Sequence, residues 1–189
     1  NRRVRQAIDR QDQAIRGSVA HDVASQVSNG EMDASEGDQK IASAGLSDEQ
    51  CGAVRHITGP AQLSVVVGHA GAGKSTMLAA AREAWEAQGY RVHGAALAGK
   101  AAEGLEESSG IESRTLASWE YGWQSGKGQL GSGDVFVIDE AGMVGSRQMA
   151  RFVDEAERSG AKRVLVGDHE QLQAIGAGAP FRTIADRVG

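Results

Sequence analysis

The stretch GHAGAGKST, residues 68–76, constrains this chain more than any other. It follows an apolar run and carries Gly68, Gly73, Lys74 and Ser75 at every fixed position of the pattern G-x-x-x-x-G-K-[ST]. Glycines let successive backbone N–H groups turn inward around phosphate oxygens, and the helix start behind them adds positive potential. In that arrangement Lys74 reaches the β- and γ-phosphates and the Ser75 hydroxyl ligates Mg²⁺, with Gly71 and Thr76 completing the phosphate-binding set. The pattern works only as strand, then loop, then helix. It therefore predicts an α/β domain that binds a nucleotide.

The flanking sequence agrees. Strands are expected over 62–67, 90–96, 134–138 and 163–166, and helices over 74–88, 100–107 and 146–158. Near-continuous apolar strands alternating with helices predict a mainly parallel sheet covered on both faces. Residues 1–45 read differently, as a helical accessory segment and linker ahead of the main domain at 46–189. Val4, Ile8, Ile15, Val19, Val23 and Val27 recur at spacings near four and seven, as on one helical face. The polar, acidic stretch SNGEMDASEGDQK (28–40) reads as a loop or linker.

Composition narrows the function classes. At 189 residues the chain fits one domain with an appended segment, and no apolar run approaches the roughly 18–20 residues that span a bilayer. A net charge of −5 argues against a strongly basic protein that coats nucleic acid, while leaving room for a local basic groove. The single cysteine, Cys51, allows no internal disulfide and fits a reducing cytosol. The chain does not begin with methionine and is read as a piece of a longer one.

A second chemical signal lies in VFVIDEAGM, residues 135–143. Asp139, at the end of an apolar strand, is placed to hold Mg²⁺, and Glu140 to orient and deprotonate a water attacking the γ-phosphate. Asp followed by Glu favours a hydrolase of ATP over a small-molecule kinase or a switch GTPase.

In chain order LSDEQCGAV (46–54), the phosphate loop, ALAGKAAEGL (96–105), SRTL (113–116), IDEAGM (138–143) and GDHEQLQAIG (167–176) resemble motifs Q, I, Ia, Ib, II and III of RecD-like superfamily 1 DNA helicases. DEAGMVGSRQMARFV and GDHEQLQAIGAGAPFR are particularly similar to the helicase region of Ti-type conjugative relaxases, the TraA family. The resemblance covers residues 46–189 and implies a RecA-like P-loop NTPase domain. It also implies ATP and Mg²⁺ as cofactors, movement on single-stranded DNA, and a bacterial cytoplasmic setting. By the same resemblance its partners are a second RecA-like domain and the relaxosome and secretion proteins of conjugation.

Carried over residue by residue, Gln50 contacts the adenine; Ser47-x-x-Gln50 also fits a helix capping box, and the two roles are compatible. Gln171 reaches the γ-phosphate or the attacking water, and Asp168 organises its loop or a Mg²⁺-bound water. Lys100 and Thr115 contact DNA phosphates, with an ordinary exposed helix lysine as the alternative for Lys100. Leu97 and Ala98 stand where relatives often have Pro-Thr, so a threonine contact to the strand is missing. Trp119, Tyr121 and Trp123 could stack bases, but packing of a helix on the sheet is the favoured reading.

Motifs IV to VI of such helicases, which carry arginines for the γ-phosphate, are not found. The expectation is a first motor domain that binds ATP–Mg²⁺, hydrolyses it slowly and does not unwind DNA by itself. Two other readings stay open: another P-loop ATPase, such as a kinase or a remodelling enzyme, and a non-catalytic module that holds DNA or protein.

Overall fold

The structure, a computed structural model, describes residues 2–42, 44–68 and 73–168. The elements are α1 (Arg2–Ser28), α2 (Ala34–Ala42), α3 (Asp48–Ile57), β1 (Leu63–Gly68), α4 (Lys74–Ala87), β2 (Arg91–Ala96), α5 (Gly99–Ser109), β3 (Ser113–Thr115), α6 (Leu116–Gln124), β4 (Asp134–Ile138), α7 (Ser146–Ser159) and β5 (Lys162–Asp168).

The five strands form one sheet in the order β1-β5-β4-β2-β3, and every adjacent pair is parallel. Parallel neighbours need a crossover connection, which the intervening helices supply. Both faces are covered, so the strands are apolar on both sides. Val135, Val137, Val164 and Val166 join one cluster with α3, α4 and α5, while Phe136, Ile138 and Leu165 join another with α6 and α7. That period-two split explains why β4 is buried at every position and reads as a continuous apolar run.

The front segment packs against this core. Val4, Ala7 and Ile8 of α1 are buried in the same cluster as Ala80, Ala81 and Ala84 of α4, and Arg10 pairs with Glu83 outside it. Further along, Val23 is buried and Ile15, Val19 and Val27 are half-buried, in line with the predicted helical face.

One expectation fails here. Residues 34–40, read as linker, belong to helix α2, and only 29–33 form a turn. The stretch is polar because α2 packs chiefly on α1, and Gly37 is what permits it. A Cβ at Gly37 would lie 2.5 Å from Val23 Cγ1, too close for any other residue without a shift. Glu36 in its first turn and Lys40 in its last suit the helix dipole. The short β3 and the helix α6 likewise add to the elements expected from the sequence pattern.

Candidate nucleotide-binding site

The chemistry-bearing residues converge at the carboxyl ends of the strands. Gly68 closes β1, Lys74 opens α4 behind the loop, Asp139 follows β4 and Asp168 closes β5. The chain leaves β1 through α4 on one face and reaches β5 through α7 on the other. Connections departing on opposite faces leave a crevice at the strand ends, where ligands of open α/β sheets sit.

Lys74 crosses this crevice. Its ammonium donates to Asp168 Oδ1, and both side chains are 19% exposed. The register of β1 and β5 makes this contact possible, because Gly68 lies opposite Asp168 and beside the lysine stem. Asp139 directly follows the next strand, β4. Its N–H donates to the Ala95 carbonyl (2.9 Å), and its Oδ1 accepts from the Glu140 N–H (2.9 Å). Burial pushes the Asp139 carboxyl above its ordinary range, and the Asp168 charge adds to this. The Glu140 N–H and the Lys74 charge pull the other way. A half-buried carboxylate that feels the charges of both Lys74 and Asp168 is a natural cation ligand, and the Lys74 ammonium suits phosphate oxygens, so the residues fit Mg²⁺ with a nucleotide.

Glu140 has φ 50° and ψ 40°, the only non-glycine residue with positive φ among those described. This left-handed step turns the chain out of β4 into the short helical turn Ala141–Met143 and leaves Glu140 exposed at the rim. For a residue with a side chain it costs on the order of 1–2 kcal/mol, and such strain clusters at functional positions.

Gln50 is tied on both sides. The predicted capping box forms: Gln50 N–H donates to Ser47 Oγ (3.1 Å) and Ser47 N–H donates to Gln50 Oε1 (2.8 Å). Its Nε2 then donates to the Gly73 carbonyl (3.1 Å), linking α3 to the end of the phosphate loop. Gly73 has φ 75°, and a Cβ there would lie 1.9 Å from Gln50 Nε2. Left-handed backbone and close approach both require glycine at this position. One amide hydrogen and one lone pair of Gln50 remain beyond these contacts. Ser75 and Thr76 are half-buried in the first turn of α4. Gly71 and Gln171 lie outside the described residues.

The two expected DNA contacts stand on the same rim, at its other half. Lys100 is exposed in the first turn of α5, and Thr115 ends β3 opposite Ala96 of β2. Thr115 Oγ1 accepts from the Ser118 N–H (3.1 Å) and caps α6, a role the motif did not reveal. Of the aromatic cluster, Trp119 and Trp123 pack against Phe136, and Trp123 also against Phe152, which bears out the packing reading. Tyr121 alone is exposed, at 73%. The Lys74–Asp168 pair and the left-handed backbone of Glu140 go beyond the expectations from sequence. A positive charge in the loop and an acid at the end of a second strand were the available signals.

A five-stranded parallel sheet with helices on both faces, a phosphate-loop lysine and two strand-end aspartates define a RecA-like P-loop NTPase domain. The chain belongs to the AAA-domain family, whose model matches residues 45–189. It is 65% identical over 144 residues to the "Conjugal transfer protein TraA" of Rhizobium radiobacter, covering 76% of this chain and 13% of that protein. It is 37% identical over 129 residues to the "Multifunctional conjugation protein TraI" of Escherichia coli K12, covering 64% of this chain and 7% of that one. With the "ATP-dependent RecD2 DNA helicase" of Deinococcus radiodurans it shares 33% identity over 150 residues, covering 77% and 21%. The resemblance to RecD-like helicases and conjugative relaxases thus holds across most of the chain. The chain spans only about an eighth of the TraA relative.

Proposed function

We propose that residues 46–189 form the ATP-binding first motor domain of a superfamily 1 DNA helicase belonging to a conjugative relaxase, with residues 1–45 as an accessory segment docked on it. The observation that carries this reading is the gathering on one rim of Lys74, at the start of α4, with Asp139 and Asp168 at the ends of the neighbouring strands β4 and β5.

Each residue then has a task. Backbone N–H groups of the loop and the α4 start bind phosphate, while Lys74 exchanges the Asp168 carboxylate for β- and γ-phosphate oxygens. Ser75 and Asp139 would hold Mg²⁺, which neutralises charge on the phosphates when bound. Glu140, turned outward by its backbone, accepts the proton of the attacking water. Gln171 hydrogen-bonds the γ-phosphate or that water, and Gln50 uses its remaining amide groups on the adenine. Asp168, released from Lys74, precedes Gln171 by three positions in the chain and so couples phosphate occupancy to that residue. Lys100 and Thr115 touch the backbone of single-stranded DNA on the same rim.

The test is the ATPase rate with and without single-stranded DNA, on the 189-residue chain and on a chain that also carries a second motor domain. DNA stimulation only in the longer chain, lost in Lys74→Ala, is the expected result. Brisk DNA-stimulated unwinding by the shorter chain would overturn the division of the motor.

A further inference from the structure

A cavity of about 530 Å³ opens at the opposite rim, where β1 and β5 begin. Six residues of β1 separate it from the phosphate loop, about 20 Å of strand. Its volume lies within the roughly 300–1,000 Å³ typical of small-ligand sites.

Its lining is chemically one-sided. Arg5 of α1 and Arg55 of α3 are exposed lining residues, and Lys162 of β5 is buried at 7% exposure. Among the described residues, no aspartate or glutamate contributes to the wall. The Lys162 ammonium donates to the carbonyls of Gly59 (2.6 Å) and Ala61 (2.5 Å), which leaves a third hydrogen. Among the described residues it has no ion-pair partner. Trp85 and Gln88, also on the wall, each hold a buried N–H group (Nε1 and Nε2) with no acceptor in reach among the described residues. Buried donors without acceptors cost free energy, and a buried ammonium without a counter-charge costs more. Val4, Pro60, Trp85 and Tyr90 supply the apolar remainder.

We propose that this cavity is a second ligand site, distinct from the nucleotide site, for a small organic anion: a phosphate or carboxylate group carried on a flat apolar body. The anion pairs with Lys162 and Arg55, accepts from the Gln88 amide after a turn of its terminal torsion, and lays its body against Trp85 and Tyr90. Burial already lowers the Lys162 pKa, and a bound anion reverses that. Helix α4 runs from Lys74 at one site to Trp85 at the other.

Phenyl phosphate and benzoate are the probes. The readout is the Trp85 indole N–H signal in a ¹H–¹⁵N spectrum, assigned by its loss in Trp85→Phe. The background is Lys74→Ala, so that phosphate at the nucleotide loop does not interfere and failure of the ATP reading leaves this test intact. A saturable shift with at least one probe, weakened about tenfold by Arg55→Ala, is expected. The stronger probe identifies the preferred anion. Arg55 is exposed, so its variant folds even if Lys162→Met does not. An indole signal unmoved by millimolar concentrations of both probes, or equal affinity in Arg55→Ala, overturns the proposal.

Discussion

The side-chain amide of Gln50 donates to the Gly73 carbonyl across 3.1 Å while its oxygen caps helix α3. One side chain thus fixes both a helix start and the last residue of the phosphate loop, and the two duties can be separated. Gln50→Glu keeps the acceptor that Ser47 needs but loses the donor to Gly73. Its melting temperature is expected to stay within a few degrees of the parent, while nucleotide affinity by calorimetry falls about tenfold. Gln50→Ala loses both duties and about 1 kcal/mol of stability as well. Equal stability of the two variants would mean that the cap contributes nothing.

Gly73→Ala supplies a coupling test. The substitution strains a left-handed residue by about 1 kcal/mol and drives Cβ into the Gln50 amide. Made in Gln50→Ala, it should cost distinctly less than in the parent, because the clash is gone and only the backbone penalty remains. Denaturant midpoints of the four proteins measure the difference.

Lys74 must leave Asp168 before it can serve a phosphate. Asp168→Asn is therefore expected to tighten ADP and ATP binding severalfold while slowing any turnover that depends on Gln171. Lys74→Ala weakens binding in either background. Titration calorimetry on the nucleotide-free protein decides, and unchanged affinity in Asp168→Asn would show that the pair does not compete with phosphate.

Glu140 combines strain and chemistry in one residue. Glu140→Gly relieves the positive φ and should raise stability by about 1 kcal/mol, an upward shift of roughly 2–4 °C at this chain length. Glu140→Gln keeps the strain. Both are expected to lower single-turnover ATP hydrolysis on the order of 100-fold or more in a motor carrying both domains. A Glu140→Gly protein no more stable than Glu140→Gln would remove the case for backbone strain.

The Asp139 carboxyl gives a pH dependence of stability. Its pKa is raised by folding, so the folded chain holds the proton more tightly than the unfolded one. Between the ordinary carboxylate value and the raised one, stability falls as pH climbs, and above that window the full cost of the buried charge is present. Asp139→Asn, which keeps an acceptor for the Glu140 N–H, should melt higher than the parent at neutral pH in nucleotide-free protein with chelator. The difference should vanish as pH drops below the window, and Mg²⁺-dependent nucleotide binding should fall. Equal melting at neutral pH would contradict the raised pKa.

Much of this site was legible because short-range rules govern it. The spacing of Gly68, Gly73, Lys74 and Ser75 fixes a loop, and β4 announces itself by burying both faces. The Lys74–Asp168 pair was not legible, since it needs β5 inserted beside β1, nearly a hundred residues away in the chain. No periodicity encodes that adjacency. Helix α2 escaped because its contact with α1 is made by a glycine, which carries no apolar signal. The left-handed backbone of Glu140 is invisible for the opposite reason: the residue type argues against it.

The family match begins at residue 45, but burial begins at Val4. A chain trimmed to its motifs would uncover the alanine-lined back of α4, including Ala80 and Ala84, to water. Homology would approve such a cut, and solubility would not. The long first helix behaves as a lining sewn to the phosphate-loop helix, so a portable P-loop domain has to be excised with it.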